Sequence, residues 1–471
     1  MLFEPGGRIC PFIGPEQVGM VRESAMDDNA VARRDAAREN GTKATRVCHR
    51  LPAVHASQFT SVTIVMHVPQ PAGWPAPAAY DFVAPATILF GSGRLSELGL
   101  VTARLGRTAW IVAGQRSLPQ CGGKSGIESV LRGAGLEATW IAHAAGEPTV
   151  ADVADALRGL PDRGETEPVV IAIGGGATID LAKAIAALAT NANPRAADVE
   201  QEVIDHLEGM GRGLSIRVAP LPLVAVPTTA GTGAEATRNA VISCPRRRFK
   251  KSMRSPLMVP RAAVVDPEVT VSCDRGVTAA SGLDCVTQLI ESFICRFRAP
   301  LPRALVLDAL PRAIAALPRV LSSPADLTAR TAMSHAALVS GMALTNSGLG
   351  MAHGVAAALG VECGVPHGLA CAVMLPVALR VNRTACRDDL AMLERVIDPG
   401  AASDAEYAAD AFVGRIDALC DLAGTPRRLS DVGLDRERIG WLAENSGGAS
   451  MRGNPVELTP HMLREILTRA W

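Results

Sequence analysis

Apolar positions fall in short unbroken runs through the first half of the chain and in longer helical patterns through the second. Residues 107–113 (RTAWIVA), 138–143, 169–173 (VVIAI) and 223–226 read as strands, apolar almost throughout. Between them, residues 126–135, 150–160 and 177–190 read as helices, the second introduced by Thr149 as a cap. Apolar strands alternating with helices predict a parallel sheet covered on both faces, an α/β domain. From about residue 272 the strand signal fades, and Ala-, Leu- and Val-rich helical patterns run to Trp471. An all-α C-terminal domain is therefore expected, with residues 76–275 forming the first domain and 276–471 the second. Residues 1–75 carry arginines without any sustained period. They are expected to be a disordered extension, or an over-long gene assignment whose true start is Met66.

Composition narrows the class. Lys+Arg (47) equals Asp+Glu (47) in 471 residues, which excludes the basic excess of a nucleic-acid binder. With 48% hydrophobic and 3% aromatic residues, the chain can bury a large aliphatic core and is not a disordered protein. Residues 331–361 hold no charged side chain and are long enough to span a bilayer. Ser340, Gly341, Thr345, Asn346, Ser347, Gly348, Gly350 and His353 interrupt them, so buried helices are expected and no membrane contact. Eleven cysteines without a C-x-x-C pair fit reduced thiols of a cytoplasmic protein.

Two glycine-rich elements follow predicted strands. Gly174-Gly175-Gly176 joins a strand to a helix, where glycines permit positive φ and close backbone approach and the helix start offers N–H groups to a pyrophosphate. Pro227-Thr228-Thr229-Ala230-Gly231-Thr232-Gly233 adds hydroxyls near another strand end, where open α/β sheets collect ligands. Two tight turns would give the same pattern. In the helical half, Asp284 and Gln288 stand four apart and share a helix face. His353 lies in a helix expected to stop at Gly360, and His367 starts the next, so a helix hairpin brings both imidazoles over a carboxylate. Such groups bind Zn²⁺ or Fe²⁺, although each taken singly also fits a hydrogen-bonded core residue.

Together these elements resemble the iron-containing (group III) alcohol dehydrogenase family, within the dehydroquinate synthase-like fold. The resemblance covers roughly residues 80–471: Phe90-Gly91-Ser92-Gly93, GGG-x-x-x-D-x-A-K, P-T-T-x-G-T-G, Val265-Asp266-Pro267-Glu268, Gly282-Leu283-Asp284, the His353 helix, Pro366-His367-Gly368 and Asn454-Pro455. It implies that the α/β domain is a Rossmann-like dinucleotide-binding domain, with reversible hydride transfer between NAD(P) and a small alcohol or aldehyde in a cleft between the two domains, and a homo-oligomer. Gly174, Gly175 and Gly176 would hold the pyrophosphate, Thr228, Thr229 and Thr232 would line the cofactor, and Asp284, His353 and His367 would ligate the metal.

Three departures modify that expectation. The family's Asp-x-x-x-His pattern has Gln288 in place of histidine, a weaker ligand. A further histidine usual four residues after His353 is Ala357, leaving a water or Thr287 to shuttle the proton. The acidic residue expected at the end of the first predicted strand is Gly114, with Gln115 and Arg116 beside it, which leans the cofactor toward NADP(H). Lys251, expected in a loop, is a candidate for the nicotinamide side; Asp180 and Lys183 would serve the site or pair locally; His335 reads as a core histidine. The helical half has few basic residues near the ligands, which favours a mostly apolar substrate. Alternatives are a metal- and NAD-dependent lyase or polyol-phosphate dehydrogenase of the same fold, or a nucleotide-binding subunit whose metal site has decayed.

Overall fold

Six parallel strands make one sheet: β1 (Thr87–Phe90), β2 (Thr108–Gly114), β3 (Glu137–Ala144), β4 (Val169–Gly174), β5 (Leu223–Pro227) and β8 (Ala262–Val265). Their spatial order is β1-β8-β5-β4-β2-β3, and an antiparallel hairpin of β6 (Asn239–Cys244) and β7 (Phe249–Arg254) precedes β8. The structure is a computed structural model and describes residues 79–162 and 167–471. The expectations for residues 1–75 lie outside the described residues.

The central strands β2, β4, β5 and β8 are buried almost throughout because both sheet faces are covered. Successive side chains alternate between faces. Trp110, Val112, Val170 and Ala172 meet α3 (Val150–Arg158), α4 (Gly176–Asn191) and α5 (Val199–Asp205). Ile111, Ala113, Ile171 and Ile173 meet α1 (Leu98–Ala103) and α2 (Gly123–Gly133) on the other face. Helix α3 begins as expected: the Thr149 hydroxyl accepts from the Asp152 N–H at 3.1 Å, and the Asp152 carboxylate accepts from the Thr149 N–H at 2.8 Å.

No strand follows β8 among the described residues. The chain continues through α6 (Arg275–Ile294), α7 (Pro300–Ser322), α8 (Leu327–Asn346), α9 (Met351–Cys363), α10 (His367–Asn382), α11 (Arg387–Ile397), α12 (Ala405–Ala423), α13 (Ile439–Asn445), α14 (Ala449–Arg452) and α15 (Pro460–Arg469). Helix α6 is the axis of this half, buried on every side from Gly282 to Ile294. The uncharged stretch becomes α8 and α9, separated by a turn through Gly348 at φ +152°. Among the described residues no helix is long and apolar enough to cross a membrane. The nine described cysteines are free.

Two local expectations are corrected. Lys251 lies in β7 opposite Ile242, not in a loop, because residues 239–254 form a hairpin that carries too many charges to read as strands. His335 is not a core residue: on α8 it is half-buried, with Nε2 3.0 Å from the exposed Asp308 carboxylate.

The two halves meet along a glycine seam. A Cβ on Gly231 would lie 2.5 Å from the Ser281 side chain of α6. Gly233, at φ +58°, presses its backbone on Gly341 of α8; a Cβ on Gly341 would stand 2.1 Å from the Gly233 oxygen.

Candidate active site

Strands β4 and β5 end side by side, with Gly174 opposite Pro227. Gly174, Gly175 and Gly176 all keep negative or extended φ, so the expected positive φ is not their purpose. Close approach is. A Cβ on Gly174 would meet Thr178 Oγ1 at 2.3 Å, one on Gly175 would meet Thr229 Oγ1 at 3.2 Å, and one on Gly176 would meet Thr232 Oγ1 at 2.5 Å. The two sequence elements are thus one packed surface at the N-terminus of α4. Gly114, Arg116, Gly175, Gly176, Thr228 and Thr229 line a single cavity there. Gly174 packs beneath it, and Thr228 donates to Ser117 at 3.0 Å.

Thr232 and Asp180 face a second cavity, which His353, His367, Gln288 and Lys250 also line. Asp284, 1% exposed, lies within 4.0 Å of both imidazoles. His353 Nε2 is 3.2 Å from Asp284 Oδ1, and its Nδ1 is 2.7 Å from Glu291 Oε2. Glu291, two turns beyond Asp284 on α6, also accepts the Ala352 and His353 backbone N–H groups at 2.7 and 3.4 Å. Its carboxylate therefore occupies the positive start of α9, whose own N-cap, Gly350, offers no side chain. The imidazole is held at one nitrogen and turned to Asp284 with the other. His367, first residue of α10, brings Nε2 within 4.0 Å of Asp284 Oδ1. Helix α10 can lie this close because a Cβ on Gly368 would already be 2.5 Å from the Ala280 carbonyl.

The electrostatics follow from burial and these contacts. Burial would raise the Asp284 pKa, but the His353 hydrogen bond and both imidazoles outweigh it and hold the carboxylate low. Burial opposes charge on His353, yet Cys371, Asp284 and Glu291 lift it well above the ordinary imidazole range. His367, about one-third exposed at the cavity wall, is pushed down to about 4 by desolvation, against Asp284 and with the Lys250 and His353 charges.

The sequence reading did not single out Glu291 or Cys371. Cys371, four residues after His367 on α10, has its sulfur 3.7 Å from His367 Nε2, and burial pushes its thiol up to about 12. One ligand atom from each of Asp284, His353, His367 and Cys371 falls within 4.8 Å of the others. Helical periodicity was the available signal for both omitted residues. Gln288 lies beside this group with its amide oxygen accepting from Ser340 at 2.8 Å and its amide nitrogen 3.3 Å from Asp284 Oδ2.

Thr287 is not a proton shuttle. It is fully buried and its hydroxyl donates to the Leu283 carbonyl at 2.7 Å. Ala357 does line the cavity. Asp180 accepts the Val241 N–H at 3.0 Å, and burial raises its carboxyl to about 6. Lys183 spends its ammonium on Thr237 and the Asn239 carbonyl. From the hairpin, Lys250 pairs with Glu147 at 2.5 Å beside His367, while Lys251 reaches a third cavity together with His353, Arg254 and Arg452.

A parallel six-stranded sheet with a glycine–threonine edge faces a helical half that presents a carboxylate and two imidazoles. Residues 85–267 match the family described as iron-containing alcohol dehydrogenase, and residues 278–471 match the Fe-containing alcohol dehydrogenase family, C-terminal. The chain belongs to the iron-containing alcohol dehydrogenase family, and it is an alcohol oxidoreductase. It is 32% identical to lactaldehyde reductase of Escherichia coli (strain K12) over 387 residues, 82% of this chain and 98% of that one. The crystal structure of 1,3-propanediol oxidoreductase superposes with a TM-score of 0.75 at 27% identity, covering 84% of this chain and 100% of that one. Sulfoacetaldehyde reductase from Bifidobacterium kashiwanohense, in complex with NAD+, gives 0.71 at 27% identity, covering 83% and 99%.

Proposed function

We propose that the chain transfers hydride reversibly between a nicotinamide dinucleotide and a small alcohol or aldehyde, assisted by a divalent cation at Asp284, His353 and His367. The observation that carries this reading is Thr232. It packs against Gly176 of the cofactor edge and lines the cavity onto which both imidazoles open. The donor set fits a cation. A nearly fully buried carboxylate faces the Nε2 atoms of both imidazoles, His353 at 3.2 Å and His367 at 4.0 Å, with the Cys371 sulfur beside them. Bound there, Zn²⁺ or Fe²⁺ would polarise the substrate oxygen, and the dinucleotide would carry the hydride.

The chain's own residues do the rest. The start of α4 and the Thr229 hydroxyl bind the pyrophosphate, while Thr228 lines the cavity with its hydroxyl donated to Ser117. Glu291 fixes the His353 tautomer, presenting Nε2 to the site. With Thr287 committed and Ala357 in the wall, the solvent-open mouth of the cavity is the proton route. NADP(H) is favoured over NAD(H), because β2 ends in Gly114 and the exposed Arg116 stands at the cofactor cavity. Asp274 also lines that cavity, but its carboxylate caps α6 by accepting the Val277 N–H at 2.7 Å.

One observation favours a second, narrower reading of the substrate. Basic residues reach the third cavity from the hairpin and from α14, and Lys251 and Arg452 carry no ion pair among the described residues. An alcohol or aldehyde with an anionic tail, such as a polyol phosphate, would meet both. The test is metal analysis of anaerobically purified protein, followed by NADPH and NADH oxidation with paired neutral and anionic aldehydes. Bound zinc or iron is expected, with roughly tenfold preference for NADPH and for the anionic member, each the size of one charge-assisted hydrogen bond. Chelation should abolish turnover. Full activity without metal removes the cation's role. Dinucleotide binding with no turnover of any aldehyde points to a decayed subunit.

A further inference from the structure

We propose that the Cys371 thiolate is the fourth protein ligand of this cation, taking the place that Gln288 does not fill. The inference rests on the cation reading above. Ligand atoms about 2.0–2.3 Å from a tetrahedral Zn²⁺ stand about 3.3–3.8 Å from one another. The separations here are 3.2 Å for Asp284–His353, 4.0 Å for Asp284–His367 and 3.7 Å for His367–Cys371. All four atoms fall within 4.8 Å of one another, so a shift of less than about 1 Å closes the set.

The arrangement has a physical origin in α10. His367 and Cys371 are four apart on one helix, so both point to the same face and approach Asp284 together. Position 288 offers no such donor. The Gln288 oxygen is engaged by Ser340, and its amide N–H group points at Asp284, where a ligand would need a lone pair. The sulfur is fully buried, which shields a thiolate from oxidants that reach exposed cysteines. On binding, Cys371 loses its thiol proton to solvent and the S–metal bond forms, with no change of oxidation state. A thiolate in the set shifts preference toward softer cations, Zn²⁺ ahead of Mg²⁺ or Mn²⁺.

The full-length protein, stripped of metal and loaded with Co²⁺, tests this directly. Wild type should bind one Co²⁺ per chain and show sulfur-to-cobalt charge-transfer absorption in the near ultraviolet. Cys371→Ser, close to isosteric, should still bind Co²⁺ but lose that band and release one proton fewer per ion. Cys371→Ala should bind well over about 100-fold more weakly, beyond the loss of an outer partner. Adding Gln288→His to it should restore affinity without the band. Retained dinucleotide binding shows that the variants are folded. Stoichiometric Co²⁺ in wild type without the band, or a band that survives in Cys371→Ser, overturns the thiolate and leaves the cation reading standing. Wild type that binds neither Co²⁺, Zn²⁺ nor Fe²⁺ overturns both.

Discussion

Glu235 is a carboxyl placed where charge is expensive. It is 2% exposed at the glycine seam, and burial raises its pKa to about 7, against its own backbone hydrogen bond and the Lys183 charge. Because the folded pKa exceeds the unfolded value near 4.5, the native state binds the proton more tightly. Its contribution is complete below about pH 4.5 and is lost as pH rises toward 7, on the order of 3 kcal/mol in all. Glu235→Gln should therefore gain melting temperature over wild type as pH rises from 4.5 to 8. A difference that stays flat across that range would contradict it. At this scale the sequence made Asp284, His353 and His367 legible through one carboxylate face and a helix start. Glu291 lies seven residues beyond Asp284, and Cys371 four beyond His367, on those same faces. Both escaped attention because a lone glutamate or cysteine in a helix signals nothing until its neighbour on the facing helix is known.

At the scale of elements, the central strands were legible because burial on both faces leaves them no polar positions. The hairpin was not. Its inward residues Ala240, Ile242 and Cys244 alternate with Asn239, Val241 and Ser243, and Arg246, Arg247, Arg248, Lys250 and Lys251 crowd the turn and second strand. Its contribution to the site, Lys250 and Lys251, could only be placed once β6 and β7 paired. Of the two reasons the sequence offered for the glycine run, close approach holds, here to three threonines, and positive φ does not. Gly176→Ala puts a methyl 2.5 Å from Thr232 Oγ1. Alanine normally stabilises a helix over glycine by up to about 1 kcal/mol, so a loss of about 1–3 kcal/mol is diagnostic of the clash. Thr232→Ala in the same chain should return most of it. A denaturant double-mutant cycle with additive losses would show that the two residues do not meet.

For the whole molecule, we propose a boundary near residue 275, where the sheet's last segment passes into α6. The halves are joined along the glycine seam and by Asn346 of α8, whose side chain bonds both the Val83 N–H and carbonyl, at 2.6 and 2.8 Å. The threonines that line the cofactor edge are therefore anchored to the helices that carry the imidazoles. Gly341→Ala would drive a methyl into the Gly233 backbone, which cannot rotate away, and should cost about 3 kcal/mol together with dinucleotide affinity. Gly414→Ala on α12, whose added Cβ meets nothing within 4 Å, is the matched control and should be neutral or mildly stabilising. Equal melting temperatures for the two variants would show that the seam does not hold the halves together.

That seam also constrains descent. Each glycine permits the other's backbone to come within contact, and neither can take a side chain without parting the two segments. The pair behaves as a ratchet: lineages founded on this chain can rework Gln288, Ala357 or the hairpin lysines to reach new substrates, but they inherit Gly233 and Gly341 as one character.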